Sequence, residues 1–309
     1  RRFDRFVGAS AGALNATLLA ASVAAHGDIA RGAEVLERLW IEKASFGNFF
    51  RFGWSPLTGL SRASRVVDLV ESALAELTSG ASAVATDVKL TIVTTDLHGS
   101  SRGSARTHED ARVFDGLSLL DPAKRRDVAE AAAASAAFPF LFVPPILHDG
   151  KNVHQHVDGG VVNNAPMAYV LGDRDAIVVV TAEAPSPSSE RDLRGGALVS
   201  RLVDVLVNER IARDLVVARK RNRTLDALEK AMAGAKLDDA QKKAVRDAIG
   251  WKHLHIEHIH PHEDLPGGSF KGFFSKKTRI DHVARGRRAV KIARETAAHT
   301  NGSLLSSTP

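Results

Sequence analysis

Cysteine is absent from the 309 residues, which removes disulfides, thiolate metal sites and cysteine nucleophiles from consideration. Nowhere does the chain run for the ~18 consecutive apolar residues that a membrane-spanning helix needs. Alanine-rich stretches such as residues 132–137 are far too short. An initiator methionine and a signal peptide are also lacking; the opening Arg-Arg-Phe-Asp reads as a piece of a longer protein. No zinc-finger, RNP or helix-turn-helix signature accompanies the scattered basic residues, so no nucleic-acid partner is expected. Internal repeats are missing too.

What is present suffices for a sizeable core. With 44% hydrophobic and 25% charged residues, the chain is neither disordered nor a miniprotein nor a coiled coil. Its 42 Lys and Arg outnumber 36 Asp and Glu, a net charge of +6. That excess suits peripheral contact with an anionic membrane surface and is common in proteins that make none. Freedom from cysteine fits a reducing cytosol and an extracellular setting alike. The compartment stays open, with a soluble, cytoplasmic or peripheral-membrane chain favoured and secretion compatible.

Residues 3–8 are short, apolar and end in glycine, as a buried strand does. Residues 11–21 are rich in Ala and Leu and predict a helix, so Ser10 falls at a strand-to-helix turn. Further helices are predicted at 32–41, 65–77, 130–137, 198–232, 238–248 and 280–298, and strands at 89–95, 153–157, 176–181 and 255–259. Residues 44–61 and 185–196 read as loops. Strands alternating with helices predict an α/β domain with a mainly parallel central sheet covered on both faces. One domain spans 1–309, and about 185–309 is expected to form a helical subdomain or cap with a returning strand.

Gly8-Ala9-Ser10-Ala11-Gly12 fits the nucleophile-elbow pattern G-x-S-x-G. Its glycines are expected because a strand reversing sharply into a helix leaves no room for β-carbons beside the serine. The helix N-terminus would place amide donors and partial positive charge behind the hydroxyl. A serine near its free pKa needs a base. Two kinds are on offer: Asp158, in Val157-Asp158-Gly159-Gly160, and the late histidines His253, His255, His258, His260 and His262. Paired glycines after a carboxylate suit a close approach of backbone to another loop, although Asp-Gly is also an ordinary turn.

In combination these motifs resemble the patatin-like phospholipase family. The order is Gly8–Gly12, then Ala134-Ser135-Ala136-Ala137-Phe138-Pro139, then Asp158-Gly159-Gly160 followed by Asn164-Ala165-Pro166. The likeness covers about residues 1–182. It implies a three-layer α/β/α fold and a Ser–Asp dyad, with Ser10 as nucleophile and Asp158 as general base. The implied reaction is acyl transfer to water through an acyl-enzyme, on a phospholipid or other acyl ester, with no cofactor and no metal. The family's oxyanion loop, Gly-Gly-Gly-x-Arg-Gly, stands upstream of the nucleophile, where only seven residues precede Gly8. The N-terminal strand and that loop are therefore expected to be missing from this sequence. Gly195-Gly196 and Gly267-Gly268 lie on the wrong side of the nucleophile to supply them. Two rival readings remain: a non-catalytic lipid- or membrane-binding module of the same fold, and a Ser-His-Asp α/β-hydrolase using Asp158 or Asp175.

Other features carry weaker signals. Phe46, Phe49, Phe50, Phe52 and Trp54 crowd one predicted loop beside Arg51. Phe49, Phe50, Phe52, Trp54 and also Phe138 are candidate acyl or membrane-interface contacts, with a satellite core as the bland alternative. Phe270, Phe273 and Phe274 near Lys271, Lys276 and Lys277 read as core packing beside solvated lysines. Alternation of the late histidines with Leu254, Ile256 and Ile259 reads as an edge strand rather than a metal site. His154 and His156 read as partly exposed strand residues near Asp158. Arg219-Lys220-Arg221-Asn222-Arg223 is a solvated helix face with an option on anionic lipid heads.

Overall fold

The computed structural model of the protein describes residues 2–50, 61–81, 84–102, 105–139, 141–149, 152–163, 166–170, 176–182, 195–235, 237–263, 265 and 271–299. Strand β1 (Arg5–Ala9) leads through Ser10 into helix α1 (Ala11–His26). Small and aliphatic side chains surround α1 on all sides, and Ala13, Leu18, Ala20, Ala21, Val23 and Ala24 are fully buried, as befits a central helix. It stops at Gly27, whose φ of 83° is a left-handed cap. Helix α2 (Ala30–Arg38) lies against it and continues as a π-helical turn over Leu39–Lys43. Then follow α3 (Phe46–Phe49), α4 (Ser64–Thr78), the long strand β2 (Lys89–Arg102) and β3 (Ala105–Asp115). Next come α5 (Gly116–Leu120), α6 (Arg125–Ser135), β4 (Ile146–Asp149), β5 (Asn152–Val157) and α7 (Gly160–Asn163). After a 3-10 turn at Met167–Tyr169 the chain forms β6 (Ala176–Val180), α8 (Gly195–Gly234), α9 (Asp239–Ile249), β7 (His255–Ile259), α10 (Lys271–Phe274) and α11 (Lys276–His299).

This is an α/β fold of the three-layer type, but its sheet is mixed, which corrects the mainly parallel sheet expected above. β1 is parallel to β2, whereas β3 and β5 are antiparallel to β2 and β4 is antiparallel to β5. A separate pair joins β6 and β7 in parallel. The antiparallel part escaped the sequence because β3, Ala-Arg-Thr-His-Glu-Asp-Ala-Arg-Val-Phe-Asp, has no apolar alternation; backbone ladders to β2 hold it. β2 also runs seven residues beyond the strand expected at 89–95, through a register shift between Thr95 and Ser100.

The main core lies between β1, β2 and the layer formed by α1, α4 and α6, with Leu74, Leu90, Ile92 and Val128 all fully buried. Phe49 and Phe50 belong to it, at 4% and 7% exposure. Phe50 stacks on Phe142 (5.1 Å between centroids) and meets Phe273 edge-on (5.4 Å). In this structure the two rings pack as core residues, the alternative to a lid or membrane-dipping role. Phe46 stacks between Phe50 and Phe274, both at 4.8 Å. Phe274 itself is 69% exposed, so core packing holds for Phe273 and not for Phe274.

Packing lowers the pKa of two histidines. Burial pushes His156 down, and it pushes His258 down to about 4, with His260 and Arg219 adding repulsion. A base whose pKa is lower folded than unfolded stabilises the fold above the unfolded value of 6.5, and that stability is lost as pH falls towards the folded value. The unfolding free energy should therefore fall more between pH 7 and pH 5 in the wild type than in a His258→Asn variant. Urea titrations at the two pH values measure it, and equal falls in both proteins would refute the assignment.

Candidate active site

One edge of β2 carries two strands in succession. β1 runs beside it up to Ala9, opposite Val93, and β5 runs in from the other direction to Val157, opposite Thr95. Both therefore leave the sheet at Thr94, and the residues that follow them, Ser10 and Asp158, meet head to head. The Ser10 hydroxyl donates to Asp158 Oδ2 at 2.6 Å, within the short range of a hydroxyl bonded to a carboxylate. No histidine intervenes: among the described residues, the Asp158 carboxylate accepts from the Ser10 hydroxyl and, on Oδ1, from the Gly160 amide at 2.8 Å.

Ser10 has φ 53° and ψ −135°, the one positive φ at a non-glycine residue among those described. Such a backbone is strained by about 1–3 kcal/mol and persists only where its surroundings fix it. Here it turns the hydroxyl out of the strand while α1 starts directly behind it. The first amides of a helix lack carbonyl partners within it, and Ser10 stands directly before Ala11, at the positive end of the α1 dipole.

Asp158 is 2% exposed. Burial pushes its carboxyl up to about 6, partly offset by the bonds from Ser10 and Gly160. Its backbone is anchored on two sides: the amide donates to Ala137 O at 3.0 Å, and the carbonyl accepts from Thr95 Oγ1 at 2.8 Å. A carboxylate with its pKa near 6 is ionised at neutral pH and still basic enough to take a proton from a hydroxyl.

The glycines divide in a way the motif does not reveal. A Cβ on Gly8 would stand 2.6 Å from Ala13 N and nearer still to the Gly12 carbonyl. One on Gly159 would stand 2.7 Å from Val93 C and nearer to its oxygen. A Cβ on Gly12 would meet nothing within 4 Å, so the expectation that both elbow glycines are sterically required holds for Gly8 and fails for Gly12. Ala9 is buried at the end of β1, Ala11 opens α1 and Gly160 opens α7.

Ser135 stands within the second sequence motif, which by itself assigns it no task. In the fold it is fully buried, and its hydroxyl touches the amide of Ser10. Phe138, three residues on, packs half-buried against the main core. His156 corrects the partly exposed reading: it is 1% exposed and bonds Thr94 Oγ1 at 2.9 Å. His154 is half-buried and pairs with Asp96 at 2.8 Å. Phe52, Trp54, Arg51, Asn164, Ala165, Asp175, Gly267, Gly268, Phe270 and most of the 185–196 segment lie outside the described residues. The late histidines sit on or beside β7 as an ordinary strand paired with β6. Among the described residues, no group of three or more His, Asp or Glu is placed to hold a metal ion, and no helix is long and apolar enough to cross a membrane.

The chain matches no curated protein. The patatin-like phospholipase family matches it over residues 1–171, a span that contains Ser10, Ser135 and Asp158. On that match, covering more than half its length, the chain belongs to the patatin-like phospholipase family, a family of lipid hydrolases.

Proposed function

We propose that the protein is a serine acyl hydrolase that cleaves phospholipids or related acyl esters through a Ser10–Asp158 dyad. The observation that carries this reading is the 2.6 Å bond from the hydroxyl of half-buried Ser10, at a positive backbone φ, to a buried carboxylate with its pKa near 6. Ser10 Oγ attacks the ester carbonyl carbon as its proton passes to Asp158 Oδ2. The carbonyl oxygen becomes an oxyanion, facing the amides at the start of α1, with Ala11 N–H as the donor. As the oxyanion collapses, the carbon–oxygen bond to the alcohol breaks and Asp158 returns the proton to the leaving alcohol. Water then gives a proton to Asp158 and attacks the acyl-enzyme. Collapse of the second oxyanion releases the fatty acid, and the proton goes back to Ser10. No step calls for a metal.

Contact with an anionic membrane surface falls to α8, where Arg219, Lys220 and Arg223 are exposed beside Val216 and Val217, themselves 57% and 62% exposed.

A fluorophosphonate probe tests the dyad directly. The full-length protein should be labelled on the peptide containing Ser10, and a Ser10→Ala variant should lose that label. A folded wild-type protein that stays unlabelled would sink the hydrolase reading.

A further inference from the structure

Ser135 lies in the second of the three motifs and has no task in the dyad chemistry. It ends α6 and is fully buried, where an idle hydroxyl would be costly. Its hydroxyl is doubly engaged. It donates to Val93 O at 2.6 Å and accepts from the Ser10 amide at 3.0 Å. The last rung between β1 and β2 pairs Ala9 with Val93, so the hydroxyl stands where the next rung would join Ser10 to β2. The Ser135 backbone carbonyl accepts in turn from the Gly159 amide at 3.0 Å. One residue thus grips the chain at the nucleophile and one position beyond the base.

We infer that Ser135 is a positioning residue that sets the Ser10 hydroxyl against Asp158 by holding the Ser10 amide to β2 and the Asp158 loop to the end of α6. The inference rests on the dyad reading above. The polarity of the bonds is fixed, because the Val93 carbonyl only accepts and the Ser10 amide only donates; the group between them must do both. A hydroxyl does so, and an alanine does neither. The requirement is strict at this site because Ser10 sits at a positive φ that neighbouring bonds must hold. Apart from the Ser135 contact, the described backbone bonds at this turn begin with Ala13 N to Ser10 O at 2.9 Å, which fixes the helix side and not the strand side. The engaged Ser10 amide is also withdrawn from the oxyanion, which is why Ala11 is the donor named above.

The test compares wild type with Ser135→Ala and Ser135→Thr in the full-length protein. The readouts are kcat and KM on a short-chain p-nitrophenyl ester, the pH profile and the thermal midpoint. Ser135→Ala should lower kcat about 10²-fold, the scale of a small misplacement of reacting groups, with KM nearly unchanged. Its acid limb should move to higher pH, because a loosened Ser10 bond no longer holds the Asp158 carboxyl down. Among the described residues, the other groups hydrogen-bonded to Asp158 are the Thr95 hydroxyl, the Ala137 carbonyl and the Gly160 amide, none of them charged. Ser135→Thr keeps the hydroxyl and should restore both kcat and the limb. If alanine prevents folding, Ser135→Cys keeps the volume with a weak donor and should give the same shift. A folded Ser135→Ala or Ser135→Cys with the wild-type kcat and acid limb overturns the role of Ser135. A separate result, wild-type hydrolysis that survives Ser10→Ala, overturns the dyad and this inference with it.

Discussion

Replacing Asp158 by Asn should cut turnover by orders of magnitude and at the same time make the fold more stable at alkaline pH. The two effects share one cause. In the fold the carboxyl is buried and titrates at about 6, against 3.8 for an exposed aspartate. Folded protein binds that proton more tightly than unfolded chain, so stability falls as pH rises from 3.8 to 6 and stays lowered above. The ionised carboxylate then costs the folded state about 3 kcal/mol at pH 8. Asparagine carries no charge and fills the same space, its amide facing Ser10 and its oxygen able to keep the Gly160 bond. Denaturant unfolding should show Asp158→Asn more stable than wild type at pH 8, with the difference shrinking towards pH 4. Catalysis moves the other way, since losing a general base lowers kcat by about 10²–10⁴-fold. The wild-type kcat/KM should rise with pH through about 6 and then level off, reporting the same carboxyl. A variant less stable than wild type at both pH values would show that burial of the charge is not what sets this pKa.

The elements that position the dyad were largely legible in the sequence. A glycine-bounded strand, an alanine-rich helix and an Asp-Gly-Gly turn are local signals, and each contains its own cause. The arrangement that joins them was not. Ser10 and Asp158 meet because β1 and β5 share one edge of β2 from opposite directions, and nothing in either segment states its partner. β3 and the far end of β2 are polar and pair through backbone bonds, so side-chain periodicity was silent there. The phenylalanines show the same limit: Phe49 and Phe50 are buried because Phe142 and Phe273, distant in sequence, lie over them. Ser135 was visible as a motif letter, but its use depends on the two atoms beside it, Val93 O and Ser10 N.

Alanine at the three site glycines should separate backbone crowding from motif identity. Gly159→Ala drives a methyl into the Val93 carbonyl, and Gly8→Ala drives one into the Gly12 carbonyl and the Ala13 amide. These obstacles are backbone atoms, so no rotamer change relieves them. The Asp158 loop must lift off β2 in the first case, and α1 must lift off β1 in the second. Each should destabilise the fold by about 1–3 kcal/mol or more, as overpacking does. Each also separates Ser10 from Asp158, and a displacement near 1 Å lowers turnover by about 10²-fold. Gly12→Ala inverts the expectation, because its new methyl meets nothing and alanine favours the helix by about 0.5–1 kcal/mol. It should melt at or above the wild-type temperature although it removes a defining letter of G-x-S-x-G. Thermal melts with parallel ester assays distinguish the three. If Gly159→Ala kept wild-type stability and turnover, the close approach of the Asp158 loop to β2 would be wrong. If Gly12→Ala unfolded as readily as Gly8→Ala, the elbow would be crowded on both sides of Ser10 and the free space beside Gly12 would be wrong.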